Sequence, residues 1–334
     1  MMVVWAVGLL QFNCGYGIGV TSPMIAQLTG LYLDQASAAW FASSLVIGQV
    51  LGSLLGGGLA NRIGRKKTCV LAAVGSTVGW AVLAASQSFW MLILGRIITG
   101  FFDCLSVAGG YMYVAEVTDT KLRGSFINSL IVFCGLGIAF GYMFGSTLLW
   151  RFSCFVAMTV NLLAILILFF CLETPAFFLM NHKAMQYLYY DNNLKTNFKI
   201  YFKVPRLQLS ILETIVNPLP AGSVRKDSTS QQEIKQQLKE MEAAASVSMT
   251  LQDTVTKLQQ GSNLRPFLIV MTLFVFYPIC GVYNISFFAV SLFTKLGLGG
   301  AETVAVFTAL MRCLGTCCSS FLLLRSGYTR VCNS

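Results

Sequence analysis

Eight apolar stretches divide this chain, at 3–28, 37–60, 68–87, 90–116, 124–148, 151–172, 266–294 and 303–324, and each reaches the length of about 20 residues that a helix needs to cross a bilayer. A chain that enters lipid that often must satisfy its backbone hydrogen bonds inside each segment. Helices or a closed barrel do so, and runs this long and this uniformly apolar belong to helices. The expected fold class is therefore all-α integral membrane. Only 11% of residues are charged, against roughly 25% in soluble domains. The opening MMVVWAVGLL lacks the basic start of a secretory signal and reads as the first helix.

The charges lie between the apolar stretches. Arg62, Arg65, Lys66 and Lys67 follow the second, Lys121 and Arg123 the fourth, and Arg325 and Arg330 the eighth. All three groups fall on one side of an alternating bundle, and basic short loops mark the cytosolic face. The expectation is a multi-pass protein with its amino terminus in the cytosol. The net charge of +10 then reports membrane orientation and not nucleic-acid binding, because no basic stripe gathers on one element.

Three segments follow: a six-helix transmembrane half at 1–172, a polar cytosolic linker at 173–264, and helices seven and eight at 265–334. Good helix formers with Glu-to-Lys neighbours predict short linker helices over 230–258. Residues 187–222 mix aromatics, lysines, Pro and Gly without a steady period.

Eleven cysteines lie mostly within apolar runs, and the chain has one histidine, His182. No metal or cofactor is expected from that pattern, and Cys317 and Cys318 read as small packing residues. Without paired intramembrane carboxylates or a nucleophile motif, an enzyme is not expected. Gly48, Gly52 and Gly56, and again Gly137, Gly141 and Gly145, recur every four residues, a spacing that lets helix backbones approach closely.

The ordered motifs are specific. GGLANRIGRKK at 57–67 resembles the signature loop between helices two and three of the major facilitator superfamily, with Asn61 where many members have Asp. GRIITG at 95–100, YMYVAEVTDTKLRG at 111–124, ETPAFFL at 173–179, LRPF at 264–267 and RSGYTR at 325–330 resemble, in order, motifs of its sugar porter branch, which includes facilitative glucose and insect trehalose carriers. The resemblance implies a major facilitator fold: the first six-helix half, a linker, and two helices of a second half. The family fold has twelve helices, so the chain reads as one truncated after helix eight. Facilitative transport of a hexose or trehalose-like solute by alternating access at the plasma membrane is the implied function. A non-transporting truncated paralogue, or a membrane sensor or receptor, stays open.

The same resemblance implies an inner gate of Arg62, Arg65, Glu116, Arg123 and Glu173. It also exposes departures. Ile131 stands where sugar carriers commonly have Gln, and the amide-rich stretch of helix seven is replaced by residues 277–283, Tyr-Pro-Ile-Cys-Gly-Val-Tyr. Tyr277, Tyr283 and Asn284 remain as candidate sugar contacts. Arg312 falls at a polar, cavity-facing position of helix eight, where it would favour an acidic or heavily hydroxylated solute. Gly17 replaces the first-helix acid of proton-linked porters, which implies uncoupled transport and leaves Asp103 as the other residue able to carry a proton. Arg96 and Asp103, seven apart on one helical face, are expected to pair, because an unpartnered charge inside a membrane is costly. The expected partners are a small solute, a sugar, and the bilayer, with no nucleic acid.

Overall fold

A computed structural model describes residues 2–118, 122–174, 282–297 and 300–332, with single positions 264, 268 and 272. The described helices are α1 (Met2–Gly19), α2 (Thr21–Leu28), α3 (Gln35–Ile63), α4 (Arg65–Ala84), α5 (Phe89–Val117), α6 (Arg123–Thr147), α7 (Trp150–Phe170), α8 (Val282–Lys295) and α9 (Ala301–Cys332). The two units of the chain are Met1–Glu173 with Phe276–Ser334, and Thr174–Val275. All nine helices belong to the first.

The first apolar stretch is helical but broken near Val20. Pro23 has no N–H to return to the Gly19 carbonyl, so the regular ladder loses a bond there. The Thr21 hydroxyl donates to Gly17 O at 2.7 Å, and Met2–Leu28 still forms one apolar span. Between α3 and α4 the reversal takes a single residue, Gly64, at φ 102°. A side chain would be strained at that angle, so glycine is required.

Each glycine seam meets another helix. Cβ atoms built on Gly48 and Gly52 would stand 2.3 Å from Ile97 O and 2.2 Å from Phe101 O, so α3 touches the backbone of α5. On α6, Gly137 would meet Phe12 O at 2.0 Å, and on α1, Gly15 and Gly19 would meet Cys134 O and Ile138 O at 1.9 and 2.2 Å. The α1–α6 seam is thus glycine on both sides, although the periodic pattern in α6 was the half that the sequence displayed. Without side chains at these points, the two backbones pack in direct contact.

Large apolar side chains cover the exterior: Leu54, Trp90 and Phe169 are 75%, 75% and 77% exposed. Such a surface suits lipid and not water. Seven described helices are long and apolar enough to cross a membrane, and Ile285–Lys295 is a shorter apolar helix. The chain is a multi-pass integral membrane protein. The expected span 266–294 is described as helix from Val282 onward. The linker helices at 230–258, segment 187–222 and His182 lie outside the described residues, as does Tyr277. Cys317 and Cys318, read from the sequence as small packing residues, are exposed on α9.

Candidate functional site

At the basic end of the bundle, Arg65 opens α4 and Glu116 closes α5. The Arg65 guanidinium grips Glu116 Oε1 through Nε and Nη2, both at 2.9 Å, and Arg65 is only 5% exposed. Two donors in one fork fix this contact in orientation as well as in distance. Glu173, just beyond α7, accepts the Lys66 backbone N–H at 2.8 Å. That N–H belongs to the first turn of α4, where unpaired donors and the helix dipole favour a carboxylate. The Tyr113 hydroxyl of α5 donates to Leu172 O beside it. Helices α4, α5 and the end of α7 are therefore cross-linked by the expected Arg65, Glu116 and Glu173. Arg62 and Arg123 are exposed and form no ion pair or hydrogen bond with this network among the described residues, a correction to the five-residue gate. Both sit at helix ends where solvation satisfies a cation without a partner.

Midway along the helices the expected Arg96–Asp103 pair is not formed. Two turns of helix separate their Cα atoms by about 10 Å, and each side chain finds a partner on another helix. Arg96 Nη1 donates to Gly17 O at 3.0 Å, and its guanidinium lies 4.5 Å from the Phe41 ring centre. The planar cation is held by a carbonyl and an aromatic face. Asp103 accepts from the Ser76 hydroxyl at 2.8 Å, and Ser76 accepts from Asn13 Nδ2 at 3.2 Å. Asn13, Ser76, Arg96 and Asp103 are all buried, so α1, α4 and α5 share a polar cluster within an apolar bundle. Sequence reading missed Asn13, Ser76 and Phe41, although lone polar residues in apolar spans were a signal for the first two.

Toward the other end, α8 kinks at Phe288, whose φ and ψ are −119° and 16°. Beside the kink, the Val290 N–H donates to Ser22 Oγ of α2 at 3.0 Å, and Ser286 O accepts from the Tyr142 hydroxyl of α6 at 2.5 Å. The kink is clamped on both sides by the first six-helix half. Nothing in the sequence marked Ser22 or Tyr142 for this work.

Helix α9 lies along α6, where a Cβ on Gly135 would meet Cys313 Sγ at 2.7 Å and Asn128 Nδ2 donates to Thr316 O at 3.5 Å. Arg312 is exposed next to this contact, within electrostatic range of Cys134 and Tyr142. Ile131, at the position of the missing Gln, is 44% exposed on α6. Tyr283 and Asn284 lie in the first turn of α8, and their side chains fall outside the described residues.

A profile of the family described as "Sugar (and other) transporter" matches residues 1–197 and 221–330. The chain belongs to that family. Facilitated glucose transporter member 8 of solute carrier family 2 from Bos taurus is 26% identical over 337 residues, covering 98% of this chain and 61% of the relative. Member 6 from Mus musculus is 30% identical over 212 residues, covering 62% and 43%. The facilitated trehalose transporter Tret1 of Polypedilum vanderplanki is 24% identical over 305 residues, covering 87% and 53%. This sugar transporter family chain thus spans 61% or less of the length of these relatives. Among solved structures, the xylose transporter XylE of E. coli in a partially occluded inward-open conformation superposes with a TM-score of 0.64 at 18% identity, covering 94% of this chain and 70% of that one. The fold is that of the major facilitator superfamily.

Proposed function

We propose that the chain is a transmembrane sugar carrier that moves a hexose or trehalose-like solute by alternating access, with its basic end in the cytosol of the plasma membrane. The observation that carries this reading is the Arg65–Glu116 pair with Glu173 on the first turn of α4. A partly buried ion pair loses much of its favourable energy when one partner is left alone. Such a network holds one arrangement of helix ends firmly and releases it as a unit, which is what a two-state gate requires. Membership of the sugar transporter family and relatives named for glucose and trehalose support the solute class. The basic loops support the orientation.

Arg312, Tyr277, Tyr283 and Asn284 are the residues we assign to the solute pathway, with Arg312 donating to hydroxyl groups beside the α6–α9 contact. The test is uptake of labelled hexoses, trehalose and a non-sugar control into proteoliposomes. Saturable uptake of at least one sugar is expected, reduced at least tenfold by Arg312→Ala. Sugar binding without uptake would turn the reading toward a sensor. Normal uptake by Arg312→Ala would remove that residue from the pathway.

A further inference from the structure

We infer that Asp103 is a proton-binding site, and that its protonation sets the packing of α1, α4 and α5 around it. The inference stands on the buried cluster itself and does not require the transport reading.

Asp103 is 3% exposed in the middle of a membrane-spanning helix. Its two oxygens are unequal. Oδ1 receives the Ser76 hydroxyl, itself fed by Asn13, so a directed chain of donors ends on it. Oδ2 is buried and has no hydrogen-bond partner. A Cβ built on Gly17 would stand 3.6 Å from Oδ2 and 3.5 Å from Trp80 Cζ2, so Oδ2 borders the same small space as the Trp80 indole. An ionised carboxylate with one buried oxygen lacking a hydrogen bond, and with no ion pair, is a costly group in a lipid-embedded core.

The surroundings select the ligand. A metal ion needs several oxygen or sulfur donors around it, and no group of His, Cys, Asp and Glu able to hold one occurs among the described residues. A proton needs one acceptor, which Oδ2 is. The charged or titratable groups facing Asp103 are Arg96 and Cys104 of α5, Cys14 of α1 and Cys134 of α6. From α4 come Ser76 and Trp80, and the charges of that helix are confined to Arg65, Lys66 and Lys67 in its first turn. Arg96, the cation facing the site among the described residues, is held by Gly17 O, Met24 Sδ and the Phe41 and Trp80 rings.

The step is a simple protonation. A proton from water bonds to Oδ2, the carboxylate becomes a neutral acid, and the reverse step returns the proton to water. In the ionised state Arg96 and Asp103 attract each other along α5. In the neutral state that attraction vanishes and Arg96 keeps its partners on α1, α2, α3 and α4. Because those partners and Ser76 lie on other helices, protonation alters what ties α5 to its neighbours.

Infrared difference spectroscopy of the full chain in lipid, recorded while pH is stepped, reads this directly. The expected result is a protonated-carboxyl band that is lost as pH rises and is absent from Asp103→Asn. Ser76→Ala removes the donor to Oδ1 and is expected to move the midpoint of that band. It also keeps the test available if Asp103→Asn does not fold. No titrating band in the wild type, a band retained in Asp103→Asn, or an unmoved midpoint in Ser76→Ala would each overturn the assignment.

Discussion

Replacing Gly137 by alanine puts a methyl group at the closest approach of α1 and α6. The new Cβ would stand 2.0 Å from the Phe12 carbonyl oxygen and 2.9 Å from the Tyr16 nitrogen. A carbon meets a carbonyl oxygen comfortably at about 3.3 Å or beyond, so the helices must separate locally by roughly 1.3 Å. The obstacle is backbone on a packed helix, which cannot swing aside as a flexible side chain does. Inserting a methyl into a packed site costs about 1–3 kcal/mol. A separation of the two backbones also loosens the neighbouring contacts of Gly15, Gly19 and Gly141, which places this site at the upper end. Thermal unfolding of the purified protein, followed by tryptophan fluorescence, is expected to show a midpoint lowered by about 5 °C or more. Gly57→Ala and Gly58→Ala are the controls, since a Cβ at either position meets nothing within 4 Å. These should match or exceed the wild type, because alanine favours a helix over glycine by about 1 kcal/mol. A Gly137→Ala protein as stable as the Gly57→Ala protein would refute the claim that the α1–α6 seam depends on backbone contact.

Two further perturbations test the ends of the bundle. Arg65→Ala and Glu116→Ala should each destabilise, by about 3 kcal/mol where Arg65 or Glu116 is left alone, with Arg65→Ala the milder loss because Glu116 is 23% exposed and partly solvated. The double variant should cost less than the sum, and purely additive effects in a double-mutant cycle would show that the two side chains act independently. Tyr142→Phe and Ser22→Ala each remove one hydrogen bond that anchors α8 beside its kink. Faster hydrogen–deuterium exchange at 286–290 in both variants than in the wild type is the expected outcome, and identical exchange would mean the clamp does not hold the kink.

Much of this fold was legible before any coordinates. Apolar length identified the membrane spans, because lipid thickness imposes it on every helix in the same way. The glycine repeats at 48–56 and 137–145 identified close-packed faces, and the ordered motifs from GGLANRIGRKK onward identified the family. Arg65, Glu116 and Glu173 came out together for a related reason: the motif order places all three at the same end of an alternating bundle.

Partner choice was not legible. Seven-residue spacing put Arg96 and Asp103 on one face of α5 and said nothing of what stood opposite. The approach of Gly17 O, Phe41 and Ser76 from three other helices gave each charge a partner of its own. Likewise the anchoring of Ser286 O by Tyr142 and of Val290 N–H by Ser22 depends on how α2 and α6 meet α8. A sequence fixes which residues share a helical face, since the period of 3.6 is a property of the backbone alone. Which faces meet, and so which buried polar atom is satisfied and which is left bare, follows from packing between helices far apart in the chain.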